Sequence, residues 1–213
     1  MAQTTAQPGG DIVVTPDRPL VLPGGTLLVN QITIEDGGYI QVTGTADITV
    51  QSLVVQGSGT LSVAGTPGTP GSPAGQGGNG GNGGPGGDAP ACTVNVGTLS
   101  GALTVQVAAG GGGDGGSGGP GAAGESGQPG GNGGNGGNGG NGGNGGRVWI
   151  GYAALAPGAT ILAQTPPAQG GMGGPGGPGG PGGSGSWPGT PGAAGMPGQT
   201  GRPGEVIVQR TSG

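Results

Sequence analysis

Glycine falls at every third position through three long stretches of this chain, and no other feature restricts its folding as much. The stretches run from Gly65 to Asp88 with Ala74 as the single exception, from Gly112 to Arg147 without interruption, and from Gly170 to Pro203 with one slip at Pro188. A period of three is the repeat of the left-handed extended helix, with three residues per turn and about 3.1 Å rise per residue. Two ordered architectures use that period. One is the collagen triple helix, in which three chains wrap around Gly. The other is a bundle of polyglycine II helices packed side by side and hydrogen-bonded to one another. A flexible Gly-rich linker is the third possibility, and a linker has no need of a register.

The Gly-Gly-Asn runs favour the bundle. From Asn132 to Asn144 they contain no Pro, whereas collagen relies on stiff Pro and hydroxyproline at its other two positions. The segment Gly121 to Gly130 (GAAGESGQPG) is the most collagen-like part of the chain. Gly is costly to order, by roughly 0.5–1 kcal/mol per residue relative to Ala. Two Gly per turn make sense when two faces of a helix touch neighbouring helices. The third residue then points away, at Asn79, Asn82, Pro85, Asn132, Asn135, Asn138, Pro175, Pro178 and Pro181. An extended helix has no internal hydrogen bonds, so its N–H and C=O groups must be satisfied by neighbours. The long blocks are expected to fold back near 72–76, 122–129 and 184–191, giving five or six helices with their tips at one end and the strands at the other.

A second repeat precedes the triplets. Leu27 to Gly44 aligns with Ile48 to Gly65 at a spacing of 21, with Val29 over Val50, Ile32 over Leu53, Ile34 over Val55, Ile40 over Leu61 and Val42 over Val63. A weaker copy, Val13 to Gly24, places Leu20 and Leu22 over Ile40 and Val42 at a spacing of 20. Each unit alternates apolar and polar residues, with turns at Asp36-Gly37-Gly38 and Gly57-Ser58-Gly59. Short strands at this period suit a parallel β-helix, and an antiparallel meander is the rival. The expected fold is therefore mainly β and irregular: a short parallel β-solenoid of about three rungs over residues 1–64, then a polyglycine II bundle over 65–213. Strands at 92–110, 147–165 and 205–213 are interleaved with the bundle.

Composition narrows the function. The 213 residues include 66 Gly and 21 Pro, four Arg, no Lys and no His, against nine acids. No basic footprint exists for nucleic acid or for an anionic membrane surface. No run approaches the ~20 apolar residues of a membrane span. The first ten residues lack the basic and apolar regions of a signal peptide, which points to leaderless export or a virus particle. Cys92 is the single cysteine and reads as a small apolar residue. Catalysis needs a base, a nucleophile or a metal site; the carboxylates are scattered and the Ser residues sit in Gly-rich turns. The chain is read as non-enzymatic, with no catalytic residues, no metal and no cofactor.

Blocks such as GGNGGNGGPGGD (77–88) and GGNGGNGGNGGNGGNGG (130–146), broken by short turns, resemble the glycine-rich domain of the long tail-fibre tip adhesins of T-even-like bacteriophages. The resemblance covers roughly Gly65 to Gly204. It implies a sandwich of polyglycine II helices whose distal loops recognise a host receptor. The first 64 residues do not resemble that family's fibre-attachment domain. Similar bundles occur in an arthropod antifreeze protein and in bacterial surface proteins.

The candidate recognition residues are large or polar side chains at expected tips and junctions: Trp187, Met196, Met172, Glu125, Gln128, Trp149 and Tyr152. Aromatics and Met favour binding surfaces; their alternative role is to cap the ends of the bundle. The expected function is an extracellular or virion-associated adhesin for a cell-surface glycan or protein, without membrane insertion or nucleic-acid binding. The alternative is a self-associating subunit of an extracellular filament or surface layer. Weaker alternatives are a carrier of haem or another small ligand, and an ice-binding protein.

Overall fold

The computed structural model describes residues 9–211; the reading of the first residues as lacking a leader lies outside the described part, as do Ser212 and Gly213. The chain forms nine strands and, among the described residues, no helix. They are β1 (Asp11–Val14), β2 (Leu20–Leu22), β3 (Gly25–Ile34), β4 (Tyr39–Val42), β5 (Ala46–Ala64), β6 (Cys92–Ala108), β7 (Arg147–Leu155), β8 (Thr160–Gln164) and β9 (Glu205–Arg210). Every pairing between them is parallel, so the antiparallel meander does not form.

The 21-residue repeat is the pairing register itself. Val29 lies beside Val50, Ile32 beside Leu53 and Ile34 beside Val55; Ile40 lies beside Leu61 and Val42 beside Val63. Leu20 and Leu22 sit beside Ile40 and Val42. Apolar residues two apart point to one face of a strand, and in parallel register each joins the same aliphatic row as its partner. Ile34, Val42, Val63, Val105, Val107 and Val148 are fully buried in one cluster, and among the described residues no buried side chain is polar or charged. Burying such a side chain contributes roughly 1.5–3 kcal/mol. Pairing runs across residue 64, because β6 continues the sheet from β5 with Ala46 beside Cys92 and Val63 beside Val107. Strands on both sides of that boundary share one core.

At the bend between strands, Asp36 Oδ1 accepts hydrogen bonds from the Ser58 backbone N–H and hydroxyl, both at 2.8 Å. The same contacts hold the Asp36 carboxyl below its usual pKa. Asp36 thus links the turns of two successive repeats.

Three inserts interrupt the strand region: residues 65–91, 109–146 and 165–204. Each leaves the end of one strand, travels out as an extended arm, turns and returns to the start of another strand. Parallel strands lie about 4.8 Å apart, so successive inserts leave their strands at that spacing. Along the length of arms so close, a Cβ at the inner positions would meet a neighbouring carbonyl, and this is the physical origin of the glycine requirement.

The arms bond to each other every third residue. Outgoing arms join through Gly68, Gly71 and Ala74, whose N–H groups reach the carbonyls of Gly111, Asp114 and Ser117, and through Gly112, Gly115 and Gly118, which reach Gln169, Met172 and Pro175. Returning arms join in the same way: Gly80, Gly83 and Gly86 donate to Asn135, Asn138 and Asn141, while Gly136 and Gly139 donate to Ala193 and Met196. The second Gly of each turn crosses between rows, as in Gly137 to Gly116 and Gly174 to Gly137, both 2.8 Å.

Glycine count per turn follows the number of bonded neighbours. The returning arm of the second insert bonds to four other arms and carries two Gly per turn. A Cβ on its Gly137 would fall on the Gly81 carbonyl, and one on its Gly134 on the Gly78 carbonyl. The first outgoing and last returning arms have two neighbours each and carry one Gly per turn, in Gly-Thr-Pro and Gly-Met-Pro units. Ala122 occupies a position that is Gly in the preceding turns, where Gly119 donates to Gly78. The first insert turns at Gln76 and Gly77, opposite Pro120, so the Ala122 methyl group projects beyond it and is exposed.

Candidate functional site

All three inserts reverse direction through the same device. The N–H of Gly78 reaches Gly75 O at 3.0 Å, that of Gln128 reaches Glu125 O at 2.9 Å, and that of Ser186 reaches Gly183 O at 3.0 Å. The third residue of each turn is a Gly with positive φ, at Gly77, Gly127 and Gly185, a conformation that strains any side chain.

The second and third tips are stitched together. Gly127 donates to Ser184 O at 3.1 Å, Gly183 to Gln128 O at 3.0 Å, and Gly130 to Trp187 O at 3.0 Å. Glu125, Gln128 and Trp187 are therefore held at one end of the molecule by main-chain bonds, with their side chains free. Trp187 is 83% exposed. An indole this exposed on a main-chain-locked turn has already met the ordering cost of its backbone, which is what a binding anchor requires.

The other candidates lie elsewhere. Met172 and Met196 are exposed but sit midway along the third insert, one on the outgoing arm and one on the returning arm. Met172 N–H bonds to Asp114 Oδ1 at 2.7 Å and Met196 N–H to Asn138 Oδ1 at 2.9 Å. Trp149 and Tyr152 are in β7, at the strand end of the molecule. Tyr152 is half-buried against the aliphatic core. The Trp149 ring lies over Gly151, where a Cβ would collide with it.

Side chains on the returning arms form a pattern that residue types alone do not disclose. Asn79 and Asn82 Oδ1 accept the N–H groups of Asn135 and Asn138, both at 2.9 Å. Asn135, Asn138 and Asn141 Oδ1 accept those of Ala193, Met196 and Gln199, all at 2.9 Å. Asp88 and Asp114 do the same for Asn144 and Met172. The third residue of each turn does point outward, as its position implies, yet its side chain latches the next arm. Part of the signal was present in the recurrence of Asn at a spacing of 56, Asn79 with Asn135 and Asn82 with Asn138, visible once the glycine blocks are laid side by side.

Where the returning arms meet the strand region lie two adjoining grooves. One, of about 360 Å³, runs between Pro85 and Asp88 on one side and Gln199 and Arg202 on the other, with Asn141 and Asn144 as its floor. The other, of about 410 Å³, shares Asn144 and Arg202 and ends at Arg147 and Glu205, which form an exposed ion pair of 2.8 Å. Among the described residues no three of His, Cys, Asp and Glu gather into a metal-binding group, and no helix is long and apolar enough to cross a membrane. Cys92 is buried, and burial, with the Asp47 carboxylate adding, pushes its thiol up to about 11. A thiol so raised is a poor nucleophile at neutral pH.

No family model matches the chain, and no curated protein matches it. Among solved structures, a springtail antifreeze protein from Granisotoma rainieri, described as a bundle of nine polyproline type II helices, is 22% identical over 98% of this chain and all of its own, with a TM-score of 0.13.

Proposed function

We propose that the strand region is a short parallel β-solenoid, that the arms form a polyglycine II bundle, and that the protein is a non-enzymatic recognition protein of the cell exterior or a virion. Parallel register from β1 to β9 supports the first element, and main-chain bonds recurring every third residue support the second. In this reading the solenoid fixes the spacing of the arms, and the arms present the tips to a glycan or protein on a cell surface. The observation that carries the recognition function is Trp187, exposed on a tip locked to its neighbour by three main-chain bonds. Glu125, Gln128, Ser184 and Ser186 lie on the same two bonded tips and would supply the hydrogen-bonding groups of a polar rim.

The test is retention of fluorescently labelled protein by intact cells from a panel of bacterial strains. Trp187→Ala is expected to lower retention on a binding strain by about 30-fold, the effect of losing an aromatic anchor of ~2 kcal/mol. The melting temperature should be unchanged. Equal retention of the variant removes the tip from the reading.

One observation favours a second reading, a filament or surface layer. β8 and β9 have free edges among the described residues, and Leu162, Leu155 and Val208 beside them are exposed. Free parallel edges with apolar flanks invite end-to-end stacking. Polymers in negative-stain micrographs of the purified protein, absent from a Val208→Lys variant, are the expected sign of that assembly.

A further inference from the structure

The returning arms carry a chemically one-sided row of side chains, Asn135, Asn138, Asn141 and Asn144 of the second insert, all exposed. At Asn141 and Asn144 the row forms the floor of a trough, the groove of about 360 Å³. Each Oδ1 atom of the row is engaged by an N–H of the third insert, from Ala193 through Arg202. An amide oxygen fixed in this way fixes the opposite half of the group. No bond within the described chain takes up the Nδ2 groups of this row. On the polyglycine II geometry proposed above, on which this inference rests, they recur about every 9 Å. The result is a line of oriented N–H₂ donors on a rigid main chain.

The walls differ from the floor. Gln199 and Arg202 of the third insert stand on one side of the groove, and Pro85 and Asp88 of the first stand on the other. Met196, farther along the third insert, is 69% exposed. At the strand end the trough is closed by Arg147 and Glu205, already paired with each other. Arg202 is balanced by Asp88 across the groove, so no net charge selects an ion.

We infer that this trough is a second binding site, separate from the tips, for an extended neutral polysaccharide lying along the arms. A β-linked hexose chain offers ring and hydroxyl oxygens at intervals along a straight ribbon, which suits a straight row of donors. Its hydroxyl groups also match the acceptors Asp88 and Gln199 and the donor Arg202. A rigid, pre-ordered row limits the conformational cost of binding.

The chain supplies its own control. Asp88 and Asp114 make the same latch as the Asn residues, so Asn→Asp keeps the acceptor oxygen and removes the donor. The experiment is isothermal titration of the full protein with cellohexaose, a neutral chain whose binding a new carboxylate does not oppose by charge. Combined Asn138→Asp, Asn141→Asp and Asn144→Asp should weaken binding by about tenfold or more, the effect of losing several neutral hydrogen bonds. Amide-exchange protection of Met196, Gln199 and Arg202 should be retained. If the triple variant loses that protection, Arg202→Ala, which removes only a wall side chain, gives the readout and should weaken binding several-fold. Trp187→Ala should leave cellohexaose binding unchanged, which separates this site from the tip. Absence of binding at millimolar cellohexaose, binding unaffected by these variants, or a freezing-point gap without sugar binding overturns the inference.

Discussion

Val63, at the end of β5, is fully buried among aliphatic side chains. Two residues later, Gly65 is pressed against the carbonyls of Gly87 and Asp88, and its N–H bonds to Ala108 O at 2.9 Å. Within that distance the chain passes from one kind of interior to another. In the strand region, non-directional burial of Val, Ile and Leu dominates, and the main chain of each strand bonds to the next. In the arms there is almost no apolar surface to bury, and the interior is a lattice of amides. The two differ in what they forgive. An aliphatic core accepts a different hydrophobic residue of similar volume at a cost usually below about 1.5 kcal/mol. The lattice accepts Ala at a few positions near the ends of the arms, Ala74, Ala89 and Ala168, and elsewhere its inner positions have no room, because the object met by a Cβ is a carbonyl that has no rotamer to change. At its outer positions it accepts Asn, Pro, Met, Ser or Thr.

Three substitutions press on this difference. The largest effect is expected in the strand region: Ile34→Ala leaves a cavity in the shared core and should cost about 4 kcal/mol, read as a lower urea midpoint for strands and arms together. Separate transitions would show that the arms hold without the core beneath them. Gly137→Ala should cost about 3 kcal/mol, near the upper end for overpacking. Its signature is loss of amide-exchange protection at Gly134 through Gly140 and in the arms bonded to them. Ala122→Gly, at a position beyond the first insert, should change stability by less than about 1 kcal/mol. Equal effects at the two sites would refute the lattice account. A separate effect, seen only at alkaline pH, concerns Cys92, whose raised thiol pKa belongs to the folded state. Below pH 9 the thiol is protonated in both states. As pH rises, the unfolded chain ionises first, so stability falls between about 9 and 11 and then levels, by about 3 kcal/mol in all. Comparison with Cys92→Ala across that range isolates the effect, and identical pH profiles would place the thiol in water.

Much of this architecture was legible in the residues. The pairs Val29–Val50, Ile32–Leu53 and Ile40–Leu61 stand in the aligned repeat as they stand in the sheet, because parallel strands joined by repeats of equal length preserve register. The reversals at Gln76, Ser126 and Ser184 fall in or next to the stretches where bulkier residues replace Gly pairs. The tip cluster was legible only in part. Trp187, Glu125 and Gln128 come together because the second and third inserts run to matching lengths. Met172 and Met196 do not join them, since nearness in sequence to a tip says little about height on a straight arm. The groove at Asn144 and Arg202 had no signal in any one segment. Its residues come from three inserts.

The sequence by itself determined the two periods, and with them which residues face an interior. Alternation by two selects the aliphatic row, and glycine at every third position selects the faces that approach another main chain. Only the tertiary structure decided which strands and arms become neighbours, and therefore why some turns carry two glycines and others one. That number depends on how many arms surround a given arm, and neighbours separated by more than fifty residues are set by the stacking of β5, β6, β7 and β9. The same stacking turns a run of identical Asn residues into a set of latches, because an amide side chain acquires its partner only when the next arm has been laid beside it.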